Sequence, residues 1–214
     1  HDTDYWFERI RNLNAHPANR YWIEYYMLGV SQISQYLEYE LAIEAFEKGL
    51  SVAHDATAQM HLHRETAVHG IGVPAITRHK PYSIHIDRAI ALVPIGDYSQ
   101  LGYCYGLRAE ILALSLKGHD HKGTHHIGHF IGEYGRAVSL TRAGDNRALE
   151  LEVLLSFIKR LVFVEQFELA HTLIPRTFDL VLLVGTEEEQ KDFMKLSIET
   201  SRRQRLLATA PSRD

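Results

Sequence analysis

Residues 39–50 read Tyr-Glu-Leu-Ala-Ile-Glu-Ala-Phe-Glu-Lys-Gly-Leu, with Ala42, Ala45, Phe46, Gly49 and Leu50 at i, i+3, i+4, i+7 and i+8. That spacing is one face of an α-helix. The small side chains of Ala42 and Gly49 let a neighbouring helix come close, and Phe46 fills the space between them. One helix cannot bury such a face alone, so the pattern asks for a partner helix on each side.

The same rhythm predicts helices along most of the chain. Trp6, Ile10 and Leu13 mark a helix over 5–13 capped by Asp4. Pro17 lies in a turn over 14–19, and helices over 21–35 and 38–52 follow. Asp55 caps a helix over 58–70, which Gly70, Gly72 and Pro74 break. A helix over 82–92 ends at Pro94-Ile95-Gly96. Asp97 and Gln100 form a capping box for 98–116, and 117–123 is a turn. The helix over 124–140 carries Phe130, Tyr134, Ala137 and Val138 on its apolar face. Asp145, in the turn 143–145, caps 147–162. A helix from Glu165 carries Phe167, Ala170 and Ile174, is expected to kink or restart at Pro175, and stops at Gly185. Thr186 and Glu189 make a second capping box for a last helix to Leu207, and 208–214 has the composition of a disordered tail.

The run Glu38-Tyr39-Glu40-Leu41-Ala42-Ile43-Glu44-Ala45-Phe46-Glu47-Lys48-Gly49-Leu50 resembles the second helix of a tetratricopeptide (TPR) repeat. That helix keeps a small residue, a large apolar one four later and a small one three after that. Leu28-Gly29 resembles the Leu-Gly pair of the first TPR helix. One residue more than the family spacing lies between Gly29 and Ala42, and the turn has Leu37 where the family prefers glycine. The trio Ala42/Phe46/Gly49 aligns with Tyr82/Ile86/Ala89, Phe130/Tyr134/Ala137 and Ala170/Ile174/Thr177. The closing positions of the four trios stand 40, 48 and 40 residues apart, so a 34-residue period is not kept. Helical hairpins near 40 residues, similar to the TPR-like sensor regions of bacterial regulators, fit better, and residues 137–145 resemble their inter-repeat junction.

The resemblance covers about residues 20–185 and is most specific in the first repeat. It implies an all-α fold, a TPR-like right-handed superhelix of antiparallel helix pairs with a concave face, forming a single domain over 1–207. A non-repetitive helical bundle is the alternative. The implied function is a protein- or peptide-binding module, a scaffold or adaptor without catalytic activity or cofactor.

Composition narrows the setting. The 214 residues are 45% hydrophobic, enough for a sizeable core, and the formal charge of −4 opposes a protein-wide nucleic-acid surface. Nucleic acid is expected only through a domain outside this sequence. A single cysteine, Cys104, flanked by Tyr103 and Tyr105, reads as a core thiol in a reducing, cytoplasmic setting. No apolar run approaches the roughly 20 residues of a membrane span. His1 is not a natural start, so an upstream segment is expected. The N-terminal aromatics, Trp22, Tyr25 and Tyr26 among them, read as packing; a second copy of the chain is a further expected partner.

Candidate chemistry lies in three places. His61, Arg64 and Val68 share a stripe at i, i+3 and i+7; Tyr105, Arg108 and Leu112 form the equivalent stripe two helices on, and Glu152 and Ser156 the next. On first helices of TPR-like pairs these face the groove, making His61, Arg64, Tyr105 and Arg108 the peptide-binding candidates, with Arg64 placed for a carboxylate and Tyr105 beside Arg108 as an anchor pair of a kind equally common at helix-helix packing edges. The competing reading pairs Arg64 with Glu65 or another nearby acid. His119, His121, His125, His126 and His129 form the densest histidine cluster. His125 and His129 stand at i, i+4, with Asp120 and Glu133 near, a spacing able to hold a metal and open to a metal-dependent enzyme reading. His119-Asp120 resembles the ligand pair of HD-type phosphohydrolases, whose other ligands have no convincing counterpart here. The last helix carries Lys191, Lys195, Arg202, Arg203 and Arg205. A sensor or oligomerisation region of a bacterial transcriptional regulator, separated from its DNA-binding part, is the second functional reading.

Overall fold

The computed structural model describes residues 17–71, 82–115 and 124–209. The regular structure among them is helical, with no strand. Helix α1 spans Pro17–Ser31 and runs into a π-turn, Gln32–Tyr36; α2 is Tyr39–Val52, α3 Ala56–Ile71 and α4 Tyr82–Leu92. Then follow α5 (Tyr98–Ser115), α6 (Thr124–Ala143), α7 (Arg147–Phe163), α8 (Phe167–Val184) and α9 (Glu187–Thr209). The expected helix over 5–13, the turn over 117–123 and residues 210–214 lie outside the described residues. The chain divides into two compact units, His1–Gly96, which contains α1–α4, and Asp97–Asp214, which contains α5–α9. No helix among the described residues is long and apolar enough to cross a membrane.

Several helix ends follow the capping chemistry in the sequence. The amide of Ala58 donates to Asp55 Oδ1 at 2.8 Å and that of Gln100 to Asp97 Oδ1 at 3.1 Å. Thr186 and Glu189 close their box: the Thr186 amide donates to Glu189 Oε2 at 2.7 Å, and the Glu189 amide to Thr186 Oγ at 3.3 Å. Other ends correct the expectation. Pro17 opens α1 instead of lying in a turn, because a proline in the first helical turn gives up an amide that has no partner anyway. Asp145 is left-handed (φ 51°), and the cap of α7 is Asn146, whose side chain accepts from the Leu149 amide at 3.1 Å. Glu165 is also left-handed (φ 61°), so α8 starts two residues later, at Phe167. The last helix reaches Thr209, taking in two residues of the expected tail. Helix α8 runs through Pro175 without a restart. Proline deprives the His171 carbonyl of its donor, but both residues are exposed, so water can serve it, while buried Ala170, Thr177 and Leu180 anchor both halves.

The first unit is built around Phe46. It is fully buried with Ala42, Ala58 and Leu62, against Trp22, Tyr26, Val30 and Ile33 of α1 and the π-turn. A Cβ added at Gly29 would lie 2.4 Å from the Phe46 ring, so glycine at this position lets α1 and α2 meet. In the second unit Tyr134 stacks on Phe157 (centroids 4.6 Å apart, planes 11°), and Phe130 meets both edge-on. Ala109, Ala113, Ala137, Ile158 and Leu161 fill the space around them. Helix α5 approaches α6 closely at Gly102, where a Cβ would stand 2.6 Å from the Thr141 amide nitrogen and 2.8 Å from the Ala137 carbonyl oxygen. Buried Glu150 of α7 receives Arg142 of α6 (3.1 Å) and Arg176 of α8 (2.8 Å), tying three helices together. Burial pushes the Glu150 carboxyl up, but the hydrogen bonds from both arginines outweigh it and hold it below the usual carboxylate range.

The four aligned trios fall on α2, α4, α6 and α8, and eleven of their twelve residues are buried, Ile174 alone being half-buried. The intervening helices α3, α5 and α7 pack against them, α3 on α2 and α4, α5 on α6, and α7 on α6 and α8.

Candidate functional site

The polar chemistry of the second unit gathers between α5 and α7. Tyr103, Gly106, Leu107 and Glu110 of α5 recur at i, i+3, i+4 and i+7, one stripe, and Glu152, Val153 and Ser156 of α7 face it across a cavity of about 40 Å³. Tyr134, from α6, completes the lining. Its hydroxyl donates to Glu110 Oε2 at 2.5 Å. Arg160 Nε donates to Glu110 Oε1 at 2.8 Å, and Arg160 Nη2 reaches the same oxygen. The Tyr103 hydroxyl donates to Glu152 Oε1 at 3.0 Å. Glu110 thus takes a cation and a phenol, and its charge is answered by Arg160. Glu152 brings a second carboxylate to the cavity, with the Tyr103 hydroxyl on it. Burial, then the Glu110 carboxylate, pushes the Tyr134 hydroxyl well above the ordinary tyrosine range, which makes it a fixed donor and not an acid. A space of this size holds a few waters or the tip of one side chain.

Comparison with protein-family models, with curated proteins and with solved structures found no match for this chain.

The sequence candidates occupy other surfaces. Tyr105 and Arg108 lie about half a turn around α5 from Tyr103 and Glu110, at 100° per residue. The Arg108 guanidinium carbon stands 4.6 Å from the Tyr105 ring centroid, and that of Arg136 5.0 Å. Arg108 also donates to Glu133 Oε2 through Nε (2.9 Å) and Nη2 (2.6 Å). In the first unit, Arg64 donates to Glu65 Oε1 at 3.1 and 2.6 Å, and His69 Nε2 lies 3.2 Å from Glu65 Oε2. Burial pushes the Glu65 carboxyl up, yet His69 and Arg64 bring it below its usual value. His61 is half-buried on the same helix, one turn before Arg64. Each candidate arginine therefore holds an internal carboxylate, as the competing reading of Arg64 anticipates. The structure brings Tyr105 together with Arg108, and His61 and Arg64 onto one helix.

Of the histidine cluster, His119 and His121 and the side chains of His125 and His126 lie outside the described residues. His129 is exposed, 3.9 Å from Glu133 Oε1. No group of three or more potential metal ligands forms among the described residues. Two histidines do meet: His63 Nδ1 of α3 and His85 Nδ1 of α4 are 3.0 Å apart, so one of them carries the shared proton. Burial, then His85 and Arg88, lowers the His63 pKa to about 4.

Sequence reasoning placed Glu152 and Ser156 in the groove and Tyr134 in the core, but did not single out Tyr103, Glu110 or Arg160. Glu110, between the apolar Ala109 and Ile111 of α5, is the available signal, since a carboxylate in such a setting needs a partner.

Proposed function

We propose that this chain is a protein- or peptide-binding helical-repeat module, a scaffold or adaptor that performs no chemistry of its own. Within each of the two units its helix pairs, near 40 residues each, stack as antiparallel pairs in the manner of TPR-like repeats. The observation that carries the reading is a division of labour. The aligned trios of α2, α4, α6 and α8 are packing residues. The intervening α3, α5 and α7 carry the arginines, tyrosines and glutamates that stand at helix edges and around the α5–α7 cavity. Aromatic and arginine side chains held in place by neighbours are good anchors for a partner, because little conformational freedom is lost on binding.

The recognition residues are His61, Arg64, Tyr105 and Arg108, joined by Tyr103 and Glu152 at the cavity. The test uses peptides selected from a random display library on the immobilised protein. Arg108→Gln, Tyr105→Ala and Glu152→Gln are expected to weaken the selected peptides at least tenfold in titration calorimetry, with cooperative melting retained, at a lower temperature for Arg108→Gln because buried Glu133 loses its cation. Peptides that bind all three variants as they bind the parent protein would refute the assignment.

A further inference from the structure

The outer edge of α8 and α9 is apolar where the end of a helical stack is ordinarily polar. Met194 and Ile198 stand one turn apart at the middle of α9 and are 52% and 65% exposed. Phe178 of α8 contacts Phe193 of α9 at 6.2 Å between centroids and is itself 43% exposed, which places it at the α8–α9 boundary. Leu182, one turn beyond Phe178, is 65% exposed, and Leu183 and Val184 extend the apolar surface to the end of α8. The inward stripe of α9, Phe193, Leu196 and Thr200, is already buried, so Met194 and Ile198 belong to a second, outward stripe.

The charges of α9 say what covers that stripe. Its first turn holds Glu187, Glu188 and Glu189, and its second half Arg202, Arg203 and Arg205. Two copies of such a helix laid side by side in the same direction would put acid on acid and base on base. Turned head to tail, each acidic end meets the other's basic end. A two-fold axis passing near Leu196 places Met194 against the partner copy's Ile198 position. It brings Glu187 and Glu188 opposite the 202–205 stretch of the other copy. We propose that α9, flanked by the exposed end of α8, is a self-complementary docking surface for a second copy of this chain, in antiparallel two-fold arrangement.

The size suits a weak, reversible dimer. A 23-residue helix is about 34 Å long. A face about 10 Å wide on α9, with about 10 Å of α8 over residues 178–184 beside it, gives roughly 450 Å² per copy, the size of a weak, reversible interface. The repulsion between parallel copies also gives this surface its direction, since it selects one orientation and excludes the other.

Sedimentation equilibrium on the whole chain tests the proposal. The expected result is a mass twice 24.5 kDa at tens of micromolar. Ile198→Asp should weaken association at least tenfold with an unchanged melting curve, since Ile198 makes little of the fold; Met194→Glu is the second variant should Ile198→Asp misfold. Glu188→Arg and Arg202→Glu should each weaken self-association, and an equimolar mixture of the two should recover a heterodimer. A chain that stays monomeric to 100 μM overturns the proposal. So does a dimer indifferent to Ile198→Asp and to both charge reversals. Peptide binding by the α5 and α7 residues is read in a separate titration, so failure of either result leaves the other standing.

Discussion

Replacing Gly102 by alanine tests how closely α5 and α6 approach. The new Cβ would stand 2.6 Å from the Thr141 amide nitrogen and 2.8 Å from the Ala137 carbonyl oxygen. Ordinary contact begins near 3.4 Å, so α6 must retreat by about 0.6–0.8 Å at this point. Both obstacles are backbone, and no side-chain rotation relieves them. Overpacking of this kind costs about 1–3 kcal/mol. Alanine recovers up to about 1 kcal/mol of helix propensity over glycine, so the net loss is about 1–2 kcal/mol. Gly135, in the middle of exposed α6 surface, is the control, because a Cβ there meets nothing within 4 Å. Gly135→Ala should gain about 0.4–1 kcal/mol. At about 2–4 °C per kcal/mol for a chain of this size, the two variants should melt on opposite sides of the parent protein, several degrees apart. Thermal unfolding followed by circular dichroism checks it. Equal shifts for both variants, or a stabilised Gly102→Ala, would refute the close approach of α5 and α6.

Two further outcomes follow from local structure. Leu37 sits at φ 57°, left-handed and exposed, where a branched side chain costs about 1–2 kcal/mol; Leu37→Gly should therefore stabilise the protein by roughly 1 kcal/mol in urea unfolding, after the added freedom of the unfolded chain. Buried His63 has its pKa lowered from 6.5 to about 4, so the unfolded chain binds more protons between those values and stability falls as the pH drops through that window. The loss is absent above pH 6.5 and reaches at most roughly 3 kcal/mol below pH 4; a urea midpoint that His63→Gln does not flatten between pH 7 and 4.5 would assign the dependence elsewhere. His85 and Arg88 are the groups that disfavour the charged form there, after burial itself.

Much of the helical layout is legible in the sequence, because its signals are local. Asp55, Asp97 and the Thr186/Glu189 pair cap where their spacing places them, and the trio Ala42/Phe46/Gly49 identifies buried positions in three later helices. Pro17, Asp145 and Glu165 defeat the same reasoning. Proline is compatible with both a turn and a first helical turn, and an acid before a helix can cap it or turn left-handed; tertiary packing decides between them. Leu37 has the opposite lesson, since the position keeps the left-handed geometry that glycine would favour while carrying a leucine.

The site is less legible, for a different reason. Arg160 answers Glu110 across fifty positions, and Arg176 answers Glu150 across twenty-six. Helical periodicity assigns a residue to a face of its own helix but does not say which distant helix supplies its counter-charge. That is why Arg108 reads as an open anchor in the sequence and emerges with Glu133 attached, whereas Arg64 takes its own neighbour Glu65, as the competing reading has it. It is also why Tyr103 and Glu110, half a turn from Tyr105 and Arg108, gave no sign of the cavity they share with α7.

The claim that first helices recognise and second helices pack is tested most directly by mapping a selected peptide through backbone amide chemical shifts. The account predicts that the shifts concentrate on α3, α5 and α7, at and around Arg64, Tyr103, Tyr105, Arg108, Glu152 and Ser156. Shifts centred on the faces of α2, α4, α6 and α8, or a library that yields no binder to the folded chain, would contradict it.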